Sequence, residues 1–121
     1  MVLATINPPL QLMLMSFIGH VRPEELVAAE ENVRQLLENL QPGFRVLSDL
    51  SQLDEFEPGS AVEIGRTMNL LSQKGVGVIV RVIPDDSKDF GLNILSLFHY
   101  SPPPRIVTCE TMEEAAKALA I

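Results

Sequence analysis

One cysteine, no tryptophan, one tyrosine and only nine basic side chains are found in the 121 residues of this chain. The lone Cys109 excludes an internal disulfide and any multi-cysteine zinc site, and it fits a reducing compartment. Nine Lys and Arg against 16 Asp and Glu leave a net charge of −7 and a pI near 4.7. Such a balance repels phosphate backbones and anionic lipid headgroups, so the expected partner is a protein, with a basic patch, and not a nucleic acid. A long apolar run is missing as well. Leu10 to Ile18 (LQLMLMSFI) is broken by Gln11 and Ser16, and it is less than half of the roughly 20 residues that a membrane span needs. No Lys or Arg precedes it, Arg22 being the first, so it does not read as a secretory signal. A cytoplasmic protein with no integral membrane segment is expected.

What is present matches a folded domain. Hydrophobic residues make up 46% and charged residues 21%, which is ordinary globular usage rather than disorder or coiled coil. The length suits one core burying roughly two-thirds of the unfolded surface.

Two periods alternate along the chain. Leu10 to Gly19 reads as a buried strand entered from Asn7-Pro8-Pro9 and paired with a shorter strand at Val2 to Ile6. Pro23, with Glu24 and Glu25 in the first turn, opens a helix whose apolar face is Leu26, Ala29, Val33, Leu36 and Leu40 and whose polar face includes Glu30. Phe44 to Asp49 is the next strand, and Asp54 to Gly59 is a turn-rich connector. Ser60-Ala61-Val62-Glu63 has the spacing of a capping box, with Ser60 as N-cap of a helix facing inward through Ala61, Ile64, Met68 and Leu71 and stopped at Lys74-Gly75. Val76 to Ile83 (VGVIVRVI) is the clearest buried strand. The helix after it faces the core through Phe90, Ile94, Leu97 and Phe98, as far as Ser101-Pro102-Pro103-Pro104. Arg105 to Thr108 is a last strand, and Thr111 to Glu114 forms a second capping box before a helix bearing Ala115, Ala116 and Leu119.

Strands separated by helices imply right-handed crossovers, hence an α/β domain with a mixed, mainly parallel sheet of about four to five strands and about four helices. The expected core is Leu12, Leu14, Leu36, Leu47, Val78, Val80, Ile94 and Ile106. Any homodimer should use a strand edge or the more apolar helices, because the first helix carries an acidic face.

Chemistry-bearing residues are sparse, and no cofactor or metal is expected. Gly75-Val76-Gly77 opens a strand and not a helix, so it is no phosphate loop. His20 and His99 lack a ligand partner at helical spacing. Cys109 has a carboxylate neighbour, which raises a thiol pKa and quenches its nucleophilicity. Asp49, Asp54, Glu55 and Glu57 crowd one loop without the ligand spacing of a calcium hand, and read as a solvated acidic surface. Met13, Met15 and Phe17 share one strand face, which suits core packing first and an apolar cavity second.

Two stretches resemble a known family. Val46-Leu47-Ser48-Asp49-Leu50-Ser51-Gln52-Leu53, followed by Phe56-Glu57-Pro58-Gly59-Ser60, is similar to the strand-loop-helix of the STAS domain, as found in anti-sigma-factor antagonists of the SpoIIAA type. Leu97-Phe98, Arg105-Ile106-Val107 and Thr111-Met112-Glu113-Glu114-Ala115-Ala116 are similar to that family's closing helix, strand and helix, and the likeness spans about residues 10 to 120. It implies a non-enzymatic regulatory module that binds a protein partner through the loop from Asp49 to Ser60 and the face of the helix that follows it, with Asp49, Ser51, Asp54, Glu57, Gly59 and Ser60 as contact residues. In the family the first serine of an Asp-Ser-Ser-Gly motif is phosphorylated by a partner kinase. Here Glu57 takes the acidic position, Pro58 and Gly59 stand where the serines belong, and Ser60 falls where the glycine would be. The resemblance therefore leaves Ser60 as the phosphoacceptor only if the loop is shifted. An alternative reading is a small apolar ligand or lipid carrier, with Met13, Met15 and Phe17 as floor and Phe90 and Phe98 on a helical lid.

Overall fold

The structure, a computed structural model, describes the backbone of residues 1–121 and all side chains except those of Asp86, Ser87, Lys88 and Phe90. Its elements run β1 (Val2–Asn7), a short 3-10 turn (Pro8–Leu10), β2 (Leu12–Phe17), β3 (Gly19–Val21), α1 (Pro23–Leu37), β4 (Arg45–Asp49), β5 (Leu53–Phe56), α2 (Ser60–Lys74), β6 (Val78–Val82), α3 (Asp86–His99), β7 (Arg105–Cys109) and α4 (Met112–Leu119). The main sheet has the order β1-β2-β4-β6-β7. Its β2, β4, β6 and β7 are parallel, as crossover helices require, and β1 is added antiparallel through the Pro8-Pro9 turn. The α/β class and mainly parallel sheet read from the sequence are those of the structure.

The alternation of strand side chains divides the core. Met13 and Met15 of β2, Val46 of β4 and Ile79 of β6 enter the larger cluster, with Leu26, Val33 and Leu37 of α1 and Met68 and Leu71 of α2. Leu12, Leu47, Val80, Val82 and Cys109 point to the opposite face, under Ala115 and Leu119 of α4. Among the expected core residues Leu12, Leu47 and Val80 are buried, whereas Leu14, Leu36, Val78 and Ile106 are half-buried. On α1, Leu37 takes the buried position instead of Leu36.

Three local expectations are corrected. The acidic connector contains a strand, since β5 pairs in parallel with β3 as a separate two-stranded ribbon. Its Leu53 and Phe56 turn inward while Asp54 and Glu55 stay exposed, and His20 Nδ1 lies 2.9 Å from Glu55 Oε1. Secondly, Ser60 is not the N-cap of α2. Gly59, at φ 94°, occupies that position and leaves Ser60 as the first helical residue, a conformation in which glycine escapes the Cβ clash. Ala61, expected inside, is exposed. Thirdly, α3 is turned about its axis. Ile94 is 41% exposed, Leu97 82% and Phe98 79%, while Leu92, Ser96 and Tyr100 are buried. Of the expected inner face only the Phe90 side chain lies outside the described residues. At α4, Thr111 caps as expected by accepting from the Glu114 N–H at 3.2 Å, but the Glu114 carboxylate accepts from Glu110 N–H and not from Thr111.

The α1–α2 contact holds an acid pair that the polar-face reading of α1 concealed. Glu30 is half-buried, and its Oε1 is sealed from solvent with no hydrogen-bond partner among the described residues. Burial, followed by the Glu63 carboxyl across the contact, pushes its pKa up, while Arg34 and Arg66 act in the opposite direction. Two ionised carboxylates only repel; one shared proton lets them bond. A raised folded-state pKa means that the penalty is present at neutral pH and is relieved as pH falls through the folded value. Glu30→Gln is therefore expected to be more stable than wild type at pH 7. The gap between their urea midpoints should narrow as pH falls from neutral toward the ordinary carboxylate range, and a gap independent of pH would remove the acid pair as its cause.

Candidate functional site

The loop between β4 and α2 is built by its own side chains. Asp49 Oδ1 accepts from the Ser51 N–H at 2.9 Å and from the Ser51 hydroxyl at 2.6 Å, closing a turn in the way Asx residues favour. Buried Leu50 and Leu53 anchor this turn to the core. The Val21 carbonyl accepts from the Glu57 N–H at 2.8 Å, and the Glu57 carbonyl accepts from the Ser60 N–H at 3.1 Å. Glu57-Pro58-Gly59-Ser60 is thus a tight turn delivering the chain into α2. Ser60 is 2% exposed, and its Oγ is buried without a described partner.

Where this turn meets α3 the surface opens into an apolar groove of about 420 Å³, lined by Phe56, Glu57, Ser60, Ile64, Ile94 and Leu95 among others. Glu57, Gly59 and Ser60 of the expected contact set come together here. Asp49, Ser51 and Asp54 do not, the first two being occupied with each other and Asp54 exposed on β5. Next to the groove, α3 presents Ile94, Leu97 and Phe98 to solvent.

A buried cation sets that orientation. Arg81, in the middle of β6, is 3% exposed. Its guanidinium donates to Asn93 Oδ1 at 2.7 Å, Ser96 Oγ at 2.6 Å and Asp89 Oδ1 at 3.3 Å. Asp89 also accepts from the Thr108 hydroxyl at 3.0 Å. Burial draws the Arg81 pKa down and Asp89 opposes this. A buried charge without partners is costly, so the polar stripe Asp89, Asn93, Ser96 must face the sheet, and the apolar stripe of α3 faces outward. The sequence carried the signal: one charge inside VIVRV, and polar residues at helical spacing 8, 12 and 15 residues downstream of it.

Of the ligand-carrier residues, Met15 and Phe17 border a small cavity and Met13 and Phe98 do not. Met13 and Met15 are 0% and 3% exposed within the core, and Phe17 packs edge to face on Phe56 with ring centres 5.7 Å apart. Phe98 stands on the outer side of α3, away from them, and Phe90 lies outside the described side chains. The cavity bordered by Met15, Phe17, Tyr100 and Arg81 has about 50 Å³, space for a few waters. Cys109 is buried, and burial, followed by the Glu114 carboxylate, pushes its thiol pKa up. No group of three His, Cys, Asp or Glu that could hold a metal ion is found among the described residues, and none of the described helices is long and apolar enough to cross a membrane.

No family model and no curated protein sequence matches the chain. Solved structures do. An uncharacterized protein of the DUF3478 family with a SpoIIAA-like fold, from Shewanella loihica, superposes with a TM-score of 0.73 at 13% identity, covering 98% of this chain and 92% of its own. The anti-sigma factor antagonist SpoIIAA in its unphosphorylated form gives 0.66 at 10% identity over 99% of this chain and 98% of its own. An anti-sigma factor antagonist from Mycobacterium paratuberculosis gives 0.60 at 14% identity over 100% and 94%. At these identities the likeness is one of fold, and it extends along the whole chain: the protein has the STAS fold of the SpoIIAA type.

Proposed function

We propose that this protein is a non-enzymatic regulatory module that binds a protein partner through the end of the Asp49–Ser60 loop, the start of α2 and the outer face of α3. The observation that carries the reading is the open groove of about 420 Å³ at the Glu57–Ser60 turn, continued by exposed Ile94 and Phe98. Adjoining exposed apolar surface with an acidic margin is the usual anatomy of a protein contact. Glu57 supplies that margin, and a net charge of −7 favours a partner with basic residues around an apolar anchor. The core cavity of about 50 Å³ favours this over the ligand-carrier alternative, since small-molecule sites run to about 300 Å³ or more. The solved antagonists of the same fold support the regulatory class.

The test is quantitative co-purification of the tagged chain from its native host. Ile94→Asp and Phe98→Asp alter exposed side chains, so the fold should persist while partner recovery falls at least about tenfold, as expected for central apolar contacts. Leu3→Asp, exposed on the opposite side of the sheet, serves as control and should bind as wild type. Recovery should also fall as salt rises. A partner retained equally by both α3 variants would move the interface elsewhere.

A further inference from the structure

The two edges of the main sheet are not equivalent. At β1, Met1 and Ile18 exchange both backbone bonds at 2.8 Å, so antiparallel alternation turns the backbone groups of Val2, Ala4 and Ile6 outward. At mid-strand that edge is engaged: α1 packs against β1, and Asn32 Nδ2 donates to the outward Ala4 carbonyl at 3.4 Å. At β7, Arg105 N–H donates to Gly77 O at 3.1 Å and the Cys109 carbonyl accepts from Ile83 N–H at 2.8 Å. Arg105, Val107 and Cys109 therefore bond to β6, and Ile106 and Thr108 turn their N–H and C=O groups away from the sheet, where no described residue meets them. Unpaired strand edges are templates for another strand.

From this edge we infer that β7 pairs antiparallel with β7 of a second copy of the chain, about a two-fold axis at Val107, to give one continuous sheet. The register is self-complementary. Ile106 of one copy lies opposite Thr108 of the other, so every outward donor and acceptor of both residues finds a partner. The charges select the same occupant and the same direction. Arg105 precedes the edge, Glu110 follows it, and both are exposed without an ion pair among the described residues. Antiparallel pairing sets Arg105 opposite Cys109 of the second copy, one residue from that copy's Glu110. Glu114 is nearby, since its carboxylate accepts from Glu110 N–H at 3.1 Å. Opposite charges meet twice about the axis, whereas a parallel arrangement would set like charges side by side. The second strand also covers one side of the groove of about 400 Å³ bordered by Leu97, Pro103, Pro104 and Ile106. The pairing residues of β7 lie outside the proposed partner site at the Glu57–Ser60 turn, and Leu97 of α3 borders both surfaces.

Sedimentation velocity of the purified chain tests the pairing. A dimer should appear as concentration rises to about 100 μM. Arg105→Glu and Glu110→Arg should each raise the dissociation constant at least about tenfold, and the double variant should restore dimerisation, because the swapped charges again meet as opposites. At concentrations where the wild type is monomeric, circular dichroism and melting should be unchanged, both side chains being exposed. In the dimer the Ile106 and Thr108 amide protons should gain protection from exchange. A wild type that stays monomeric, single reversals without effect, or a double variant that stays monomeric would each overturn the inference. Retention of a foreign protein on the edge, with the pure chain monomeric, would also overturn it.

Discussion

Asp89→Ala is expected to cost about 3 kcal/mol of stability, as the loss of one member of a largely buried ion pair. The cost lies less in the lost attraction than in what remains. Arg81 stays 3% exposed on β6, keeping bonds to the neutral Asn93 and Ser96 but no counter-charge. Asp89 itself is 18% exposed, which lets water enter and holds the cost toward the lower end of the range for buried pairs. Removal of both charges together should be much milder. Arg81→Met with Asp89→Ala replaces the guanidinium by an apolar chain of similar length, and paired removal of buried charges is often close to neutral. Urea titration of the two single variants and the double variant measures the coupling directly. A double variant no more stable than Asp89→Ala alone would show that the charges do not fix α3 on the sheet.

The same pair explains how far the sequence could be read. The crossover helices follow from a 3.6-residue period with one apolar face turned inward, and the strands of the main sheet from short, largely apolar runs bounded by turn residues. In α3 the two faces conflict with that rule. Phe90, Ile94, Leu97 and Phe98 form the more apolar stripe by sequence, yet a charge on the neighbouring strand takes the other stripe inward. Local amphipathicity cannot register a demand made by a residue on a different element. Strand β5 is obscured for another reason. Its four residues Leu53-Asp54-Glu55-Phe56 place both acids together, so alternation cannot appear, and only the ribbon partner β3 makes the segment extended. The site shares both difficulties. The resemblance of the loop points to Glu57, Gly59 and Ser60, which line the groove of the proposed site, whereas the α3 residues beside them depend on which way that helix faces.

Ser60 yields the remaining large effect, and it separates two readings of the turn into α2. As an N-cap, Ser60→Ala would cost about 1 kcal/mol and Ser60→Asp would preserve stability, because aspartate caps as well as serine. In the structure Gly59 takes the cap position and the Ser60 hydroxyl, with no described partner, is sealed beneath the turn. The order is then expected to reverse. Ser60→Ala removes a buried hydroxyl that makes no bond and should be neutral or slightly stabilising. Ser60→Asp must place a carboxylate where the residue is 2% exposed, and even with help from the helix dipole it should cost about 2–3 kcal/mol or open the first turn of α2. A phosphate on Ser60 needs the same opening, because it is larger and more charged than a carboxylate. Modification of this serine would thus be coupled to release of the Glu57–Ser60 turn and to loss of the groove it helps to form. Thermal melts of the two variants, with amide exchange of Ala61 to Ile64 as the local probe, distinguish the cases. Equal stability of wild type and Ser60→Asp, with the first turn of α2 still protected, would show that a carboxylate finds backbone donors there, and would return Ser60 to a capping role.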